Sequence, residues 1–530
     1  MIESRSNAMP TAVLGTVIAV TGSQMRVRLS DEPGADERNA RAARIGGLVK
    51  VAEGESEIIG RVSSSQLEEI TGRDVLVVDL VGEIAGGRFH RGVSRHPVSN
   101  AAAYATTEDD LRVIYNQPSL RDLRIGAVYD DPDQPAFVQI DDLLGKHFAV
   151  VGSTGSGKSC TVALILDSIL NAHPNAHVLM LDPHNEYATA FGDKAELLNV
   201  DNLQLPLWML DSEEAVRVLV VGGSSAERET QAMILRDTIA RARRHYATDT
   251  SGGGSITVDT PVPYRVADLI RFLNESMGRL DKPDTSLPYL RLRTRIESLR
   301  ADKRYGFMFS EGLDVPDTLA DVLGRLMRIP VNGKPIAIMD LSGMPSEVTD
   351  VVVSLCCRLI FDFALWSKRE SMPPMLIVCE EAQRYVPALQ ESGFDATQRV
   401  ITRIAKEGRK YGLSLALLSQ RPSELSPDAL SQCGTIFALR MGSEVDQQFV
   451  ARAVPDAAQA MLAALPSMPT QQALVSGEGV RLPVRIRMDE LPAERRPQSS
   501  GAAFSSEWQE DRSSDVLREQ GIRRWRLQAR

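Results

Sequence analysis

The eight residues Gly152-Ser153-Thr154-Gly155-Ser156-Gly157-Lys158-Ser159 constrain this chain more than any other feature. They follow a short apolar run, His147 to Val151, that reads as a strand, and they open an apolar-periodic stretch, Ser159 to Leu170, that reads as a helix. The glycines let backbone N–H groups turn inward, and the positive end of a helix lies directly behind them. Strand, turn and helix in that order, with the spacing GxxxxGK[ST], predict a loop that cradles the phosphates of ATP. Lys158 is expected to reach the β and γ phosphates and the Ser159 hydroxyl to hold Mg2+. Gly152, Ser153, Thr154, Gly155, Ser156 and Gly157 complete the nucleotide contacts, with Cys160 next in the helix.

A loop of this kind needs a sheet to stand on. Val178 to Leu181, Ile336 to Leu341, Met375 to Cys379, Leu413 to Ser419 and Thr435 to Leu439 are short apolar runs bounded by turns or helices. Such runs are expected of parallel strands buried on both faces, so this region is α/β with a mainly parallel sheet. Residues from about 210 to 330 read as a polar, mostly helical insertion, with a loop at Ser251 to Ser255. Before the sheet, the stretch from 11 to about 95 reads as short, β-branched, Gly-punctuated strands: Ala12 to Val20, Met25 to Leu29, Ile45 to Val51, Ile58 to Val62 and Asp74 to Ile84. That texture predicts a small all-β barrel, with a sandwich as the alternative. The expected domains are therefore a disordered N-terminus or tag (1–10), the barrel (11–100), the ATP-binding domain (101–490) and a polar tail (491–530) with a linker at Pro497 to Gly501.

The ends of the apolar strands carry the chemistry. Met375 to Cys379 runs into Glu380 and Glu381; Glu380 is expected in the Mg2+ shell, and Glu381 to polarise the attacking water. Leu179 to Leu181 runs into Asp182 and Glu186, which are placed to assist the metal or the water. Ser414 to Ser419 runs into Gln420, placed to sense the γ phosphate. A satisfied turn residue is the plain alternative for these last three. The predicted helix Gln398 to Lys410 brings Arg399, Arg403 and Lys406 to one face, either as a solvated basic face or as a source of charge for a neighbour's ATP. Arg409, then Arg403, are the candidates for an arginine acting in trans; the others could line a pore and touch DNA phosphates.

Composition sets limits. The formal net charge is -10, which argues against a large exposed nucleic-acid surface but not against a basic lining in a channel. The five cysteines, Cys160, Cys356, Cys357, Cys379 and Cys433, show no CxxC spacing and read as free thiols of a cytoplasmic protein. No apolar run is long enough to span a bilayer, and no secretory signal is expected.

In family order, the phosphate loop, Asp182-Pro183-His184-Asn185-Glu186-Tyr187, Leu205 to Trp208, Glu380 to Pro387, Glu407 to Gly412 and Ser419 to Ser423 resemble HerA, the hexameric DNA translocases of the FtsK–HerA group of P-loop ATPases. The resemblance spans roughly 10 to 490 and implies a RecA-like core behind an N-terminal HAS barrel. It further implies a homohexamer with ATP between subunits and double-stranded DNA in the central channel. A nuclease or an antiphage effector, such as a Sir2-like NAD-consuming enzyme, would dock at the barrel end. A ring acting mainly as scaffold for such an effector is the alternative to a motor, and a membrane-associated secretion ATPase is a weaker one. The departure is Asn185, where the family often has Gly; Asn also tolerates a left-handed backbone.

Overall fold

The structure, a computed structural model, describes residues 13–30, 37–68, 72–115, 121–199, 201–250, 255–277, 283–309, 316–368, 370–389, 395–498, 504–509 and 515–527. Most of the loop expected at 251–255 and of the linker at 497–501 lies outside the described residues. Contacts gather the chain into two compact units: Met1–Ala176 with Pro374–Gln390 and Thr402–Arg496, and His177–Pro373 with Glu391–Ile401 and Pro497–Arg530.

The first unit begins with β1 (Val13–Val20), β2 (Gln24–Leu29), β3 (Leu48–Glu53), β4 (Ser56–Glu68), β5 (Arg73–Ala85), β6 (Arg88–Arg91) and β7 (Ala102–Ala105). Their antiparallel order is β2-β1-β7-β3-β4-β5, and β5 returns to pair with β2, so six strands close a barrel and β6 extends β5 as a hairpin. Closure decides for the barrel over the sandwich, and it removes the free strand edges. Alternating inward residues fill it: Leu14, Val17, Met25, Val27, Val49, Val51, Leu76 and Val78 are all buried. The third strand starts at Leu48 rather than Ile45: Gly46 has φ +94°, the chain turns there, and Ile45 is left 64% exposed.

Along the chain follow β8 (Asp122–Val128), β9 (Asp131–Gln139), β10 (Phe148–Val151), β11 (Val178–Asp182), β12 (Ala195–Leu198), β13 (Ile336–Asp340), β14 (Met375–Cys379), β15 (Leu413–Ser419), β16 (Thr435–Ala438), β17 (Gln472–Gly477) and β18 (Val484–Met488). Those of the first unit lie in the order β14-β15-β10-β16-β17-β18-β8-β9. From β14 to β16 the pairing is parallel, and every residue of β10, β14, β15 and β16 is buried. From β16 to β9 it is antiparallel, a mixed half-sheet that the sequence reading did not anticipate. Because β10, β14, β15 and β16 run the same way, their carboxyl ends share one edge, and the phosphate loop, Glu380, Gln420 and Arg440 all follow from it.

The second unit holds the parallel order β12-β13-β11 and helices including Ser212–Leu219, Ser225–Thr250, Val266–Met277, Leu319–Met327 and Ser346–Trp366. Asp211 and Glu214 form a reciprocal capping box on the first of these helices. The buried Arg243 is held by the carbonyls of Trp208 and Leu210, each at 3.0 Å. Cys356, Cys357, Cys379 and Cys433 are buried, and all five cysteines are thiols outside any disulfide. No helix among the described residues is long and apolar enough to cross a membrane.

His147, at the foot of β10, ties three elements of the first unit together. It is 3% exposed, its Nε2 lies 3.0 Å from the Ala405 carbonyl, and its Nδ1 accepts the Leu415 N–H at 2.9 Å. Accepting at Nδ1 requires the neutral ring. Burial pushes its pKa down, the bond to Ala405 pushes it up, and the Arg409 charge pushes it down further, leaving it below the ordinary value. The unfolded chain therefore takes up this proton first as pH falls, and the stabilisation present above about pH 6.5 is lost below it. Thermal unfolding from pH 8 to pH 5 should show the wild-type midpoint falling more steeply than that of His147→Gln, which keeps a donor and an acceptor but does not titrate.

Candidate active site

The loop after β10 is shaped by its glycines. Gly155 and Gly157 have φ of +73° and +95°, in the left-handed region that side chains resist. A Cβ at Gly157 would also stand 3.2 Å from the Gln471 backbone nitrogen, and one at Gly152 would stand 2.8 Å from Leu439 Cβ. The loop is fastened to the neighbouring strand ends. Gly152 N–H donates to the Ser419 carbonyl at 3.2 Å, and both N–H and hydroxyl of Ser153 donate to the Arg440 carbonyl at 2.9 Å. The Arg440 guanidinium returns to the Gly155 carbonyl at 3.1 Å. Arg440 and Gln471 went unnoticed in the sequence; the available signal was that Arg440 follows an apolar strand of the same sheet.

Lys158 opens the helix Lys158–Ala172 and is 5% exposed. Its Nζ lies 2.9 Å from Glu380 Oε1 and 3.3 Å from Glu381 Oε1, and those two acids are 2% and 5% exposed. Glu381 has φ +52° and caps the short turn Ala382–Arg384. That left-handed step takes its side chain off the line of β14, where two adjacent acids of a strand would face opposite ways. The Glu381 carboxylate also accepts from the amide groups of Gln420 and Gln383, and the Gln420 carbonyl oxygen accepts from the Thr154 hydroxyl. Burial raises the Glu381 pKa, but the Lys158 charge and the hydrogen bonds from Gln383, Lys158 and Gln420 more than offset it, so the group stays ionised below the usual carboxylate range. Ser159 and Cys160 occupy the first turn of the helix, both half-buried.

The structure thus brings Thr154, Lys158, Glu380, Glu381 and Gln420 together. Asp182, in the second unit, is fully buried, and its two oxygens accept the N–H groups of His184 at 3.2 Å and Tyr187 at 3.0 Å. Burial raises its pKa, opposed by the backbone bonds from Tyr187, Glu186 and His184 and reinforced by the Glu186 charge. Asn185 in this turn has φ +54°, the left-handed conformation its amide side chain tolerates. The basic helix ends earlier than expected. It spans Asp395–Glu407, and Arg409 lies exposed on a separate turn, Gly408–Tyr411, closed by Gly412 at φ +79°. Arg399 pairs with Glu213 at 2.5 Å, Arg403 stands 3.8 Å from Glu407, and Lys406 pairs with Asp428 at 3.3 Å. Among the described residues no group of three or more His, Cys, Asp or Glu forms a ready metal site. Hydroxyl and carboxylate oxygens at Ser159 and Glu380 are nevertheless the hard donors that Mg2+ takes when it arrives on nucleotide phosphates.

A phosphate loop between a buried parallel strand and a helix, with a paired lysine and two acids at the same sheet edge, defines a P-loop ATPase of RecA-like fold, an ATP-hydrolysing enzyme. Within that class the chain resembles the HerA helicases: residues 123–360 match the family model described as the central domain of helicase HerA. It is 25% identical over 449 residues to the DNA double-strand break repair helicase HerA of Pyrococcus furiosus, covering 78% of this chain and 77% of that one. The HerA of Sulfolobus acidocaldarius, of the same description, is 24% identical over 430 residues, covering 79% of each. Among solved structures, VirB4 of Thermoanaerobacter pseudethanolicus superposes with a TM-score of 0.51 at 16% identity, covering 72% of this chain and 99% of that chain, a likeness of fold.

Proposed function

We propose that this chain is an ATP-driven translocase on double-stranded DNA, assembled as a cytoplasmic ring of six, that works with a nuclease or effector enzyme docked at the barrel end. The observation that carries the reading is the buried cluster of Lys158 with Glu380 and Glu381. One positive charge faces two negative ones there, so Lys158 keeps the acids as partners until the phosphates of a nucleotide offer it others. Lys158 then turns from the acids to the β and γ phosphates, and the loop N–H groups hold the same oxygens. Ser159 and Glu380 would hold Mg2+, which neutralises charge on those phosphates. Glu381, released from Lys158, accepts a proton from the attacking water, while Gln420, hydrogen-bonded to both Thr154 and Glu381, links the phosphate loop to that base. Within the second unit, Asp182 shapes the turn after β11. Arg409, exposed on its own turn, is assigned to the neighbouring subunit's γ phosphate, with Arg403 second. The named activity of the curated relatives, DNA double-strand break repair helicase, supports DNA as the track.

The net charge of -10 favours a second reading, a ring that organises an antiphage effector such as a Sir2-like NAD-consuming enzyme and whose hydrolysis regulates it. A strand-displacement assay separates the two. A third DNA strand bound as a triplex at one end of a linear duplex should be released in an ATP-dependent way by a motor. A ring that hydrolyses ATP yet leaves the triplex intact at every duplex length would be the scaffold.

A further inference from the structure

Resting on the assignment of Glu381 as base, the geometry points to Gln383 as the residue that positions this base and shares the attacking water with it. Gln383 lies on the turn Ala382–Arg384, pinned on either side by the fully buried Ala382 and Tyr385 and by the bonds Arg384 N–H to Glu381 carbonyl and Tyr385 N–H to Ala382 carbonyl, at 2.9 and 3.0 Å. Its amide Nε2 donates to Glu381 Oε2. That orientation is fixed by chemistry, because an ionised carboxylate only accepts. The amide carbonyl oxygen, Oε1, is left buried with no hydrogen-bond partner. An unused buried acceptor beside a catalytic base calls for a donor.

The partners of Glu381 are divided between its oxygens. Oε1 takes Lys158 and Gln420, and Oε2 takes Gln383 alone. Oε2 therefore keeps a lone pair not used by Gln383, and the carbonyl oxygen of the same Gln383 amide lacks a donor. When Lys158 turns from Glu381 to the phosphates and the cluster opens, a water admitted between them gives one hydrogen to each oxygen and keeps a lone pair for the γ phosphorus. In the hydrolytic step the water oxygen forms a bond to the γ phosphorus and the bond from that phosphorus to the bridging oxygen breaks, with ADP leaving. One proton passes to Glu381 Oε2, and the other stays on the new phosphate, hydrogen-bonded to Gln383 Oε1. Gln383 thus fixes the direction of attack, while Glu381 takes the proton.

Steady-state ATP hydrolysis by the full-length protein, with binding of a fluorescent ATP analogue measured separately, tests this. In Gln383→Met, kcat should fall by about 30- to 100-fold with KM and analogue affinity within about twofold of wild type. Gln383→Glu matches the native volume but loses the N–H, and should be comparably slow. Gln383→His keeps one donor and one acceptor and should recover at least about tenfold of the loss. In a Glu381→Gln background, Gln383→Met should add less than about twofold, since both act on one water. Wild-type kcat in Gln383→Glu, or full multiplication of the two losses in the double variant, would overturn the proposal, and both remain readable if Gln383→Met does not fold. Undiminished hydrolysis in Glu381→Gln alone would instead remove the assignment on which it rests.

Discussion

Lys158→Ala is expected to lower ATP hydrolysis by at least ~10³-fold and to destabilise the nucleotide-free protein by about 3 kcal/mol. The first effect follows from removing the positive charge proposed to meet the β and γ phosphates. The second follows from what the lysine faces when no nucleotide is bound. Glu380 and Glu381 are 2% and 5% exposed, and Lys158, at 2.9 and 3.3 Å, is the cation paired with both. Without it, two adjacent buried carboxylates lose the cation they share and repel each other, and one must take up a proton at neutral pH or drag the turn open. Thermal unfolding should show a lowered midpoint, and titration with an ATP analogue should show little binding. An unchanged midpoint would mean that the buried triplet does not exist in solution.

Glu381→Gln is expected to separate the two properties. It removes the proposed base, so kcat should fall by about 10²- to 10⁴-fold. It leaves the phosphate loop untouched, so nucleotide binding should persist. It also converts a cluster of one positive and two negative charges into the neutral pair Lys158 and Glu380, and an amide at 381 can still bond to Gln420 and Gln383. The unfolding midpoint should therefore hold or rise, the opposite of the lysine variant. A large loss of nucleotide affinity in Glu381→Gln would place the residue among the binding groups instead.

Much of this site was legible in the sequence because it obeys local rules. Gly155 and Gly157 stand where the backbone has positive φ, Asn185 takes the left-handed position left by a missing glycine, and the fully buried β14 and β15 are unbroken apolar runs. The strands that escaped notice are of another kind. β9 carries two prolines and two aspartates, β18 and β8 interleave arginines with apolar residues, and the apolar centre of β17 is only three residues long, so none resembles a long buried parallel run. The contacts that escaped notice join distant segments: Arg440 to Gly155 and Thr154 to Gln420 span over 200 residues, and Gln420 reaches Glu381 on a turn whose handedness no neighbouring residue announces. Arg409 lies on another element than the sequence suggested, because the helix ends at Glu407 and a separate turn, Gly408–Tyr411, carries it.

The most direct test of the motor is steady-state ATP hydrolysis with and without linear duplex DNA, at two salt concentrations, with Glu381→Gln as the control. Stimulation by duplex that weakens at the higher salt, as phosphate contacts require, and that disappears in the variant is the predicted result. Hydrolysis of equal rate with and without DNA at both salts, still dependent on Glu381, would contradict translocation and leave the ring as an ATP-driven organiser of its partner enzyme.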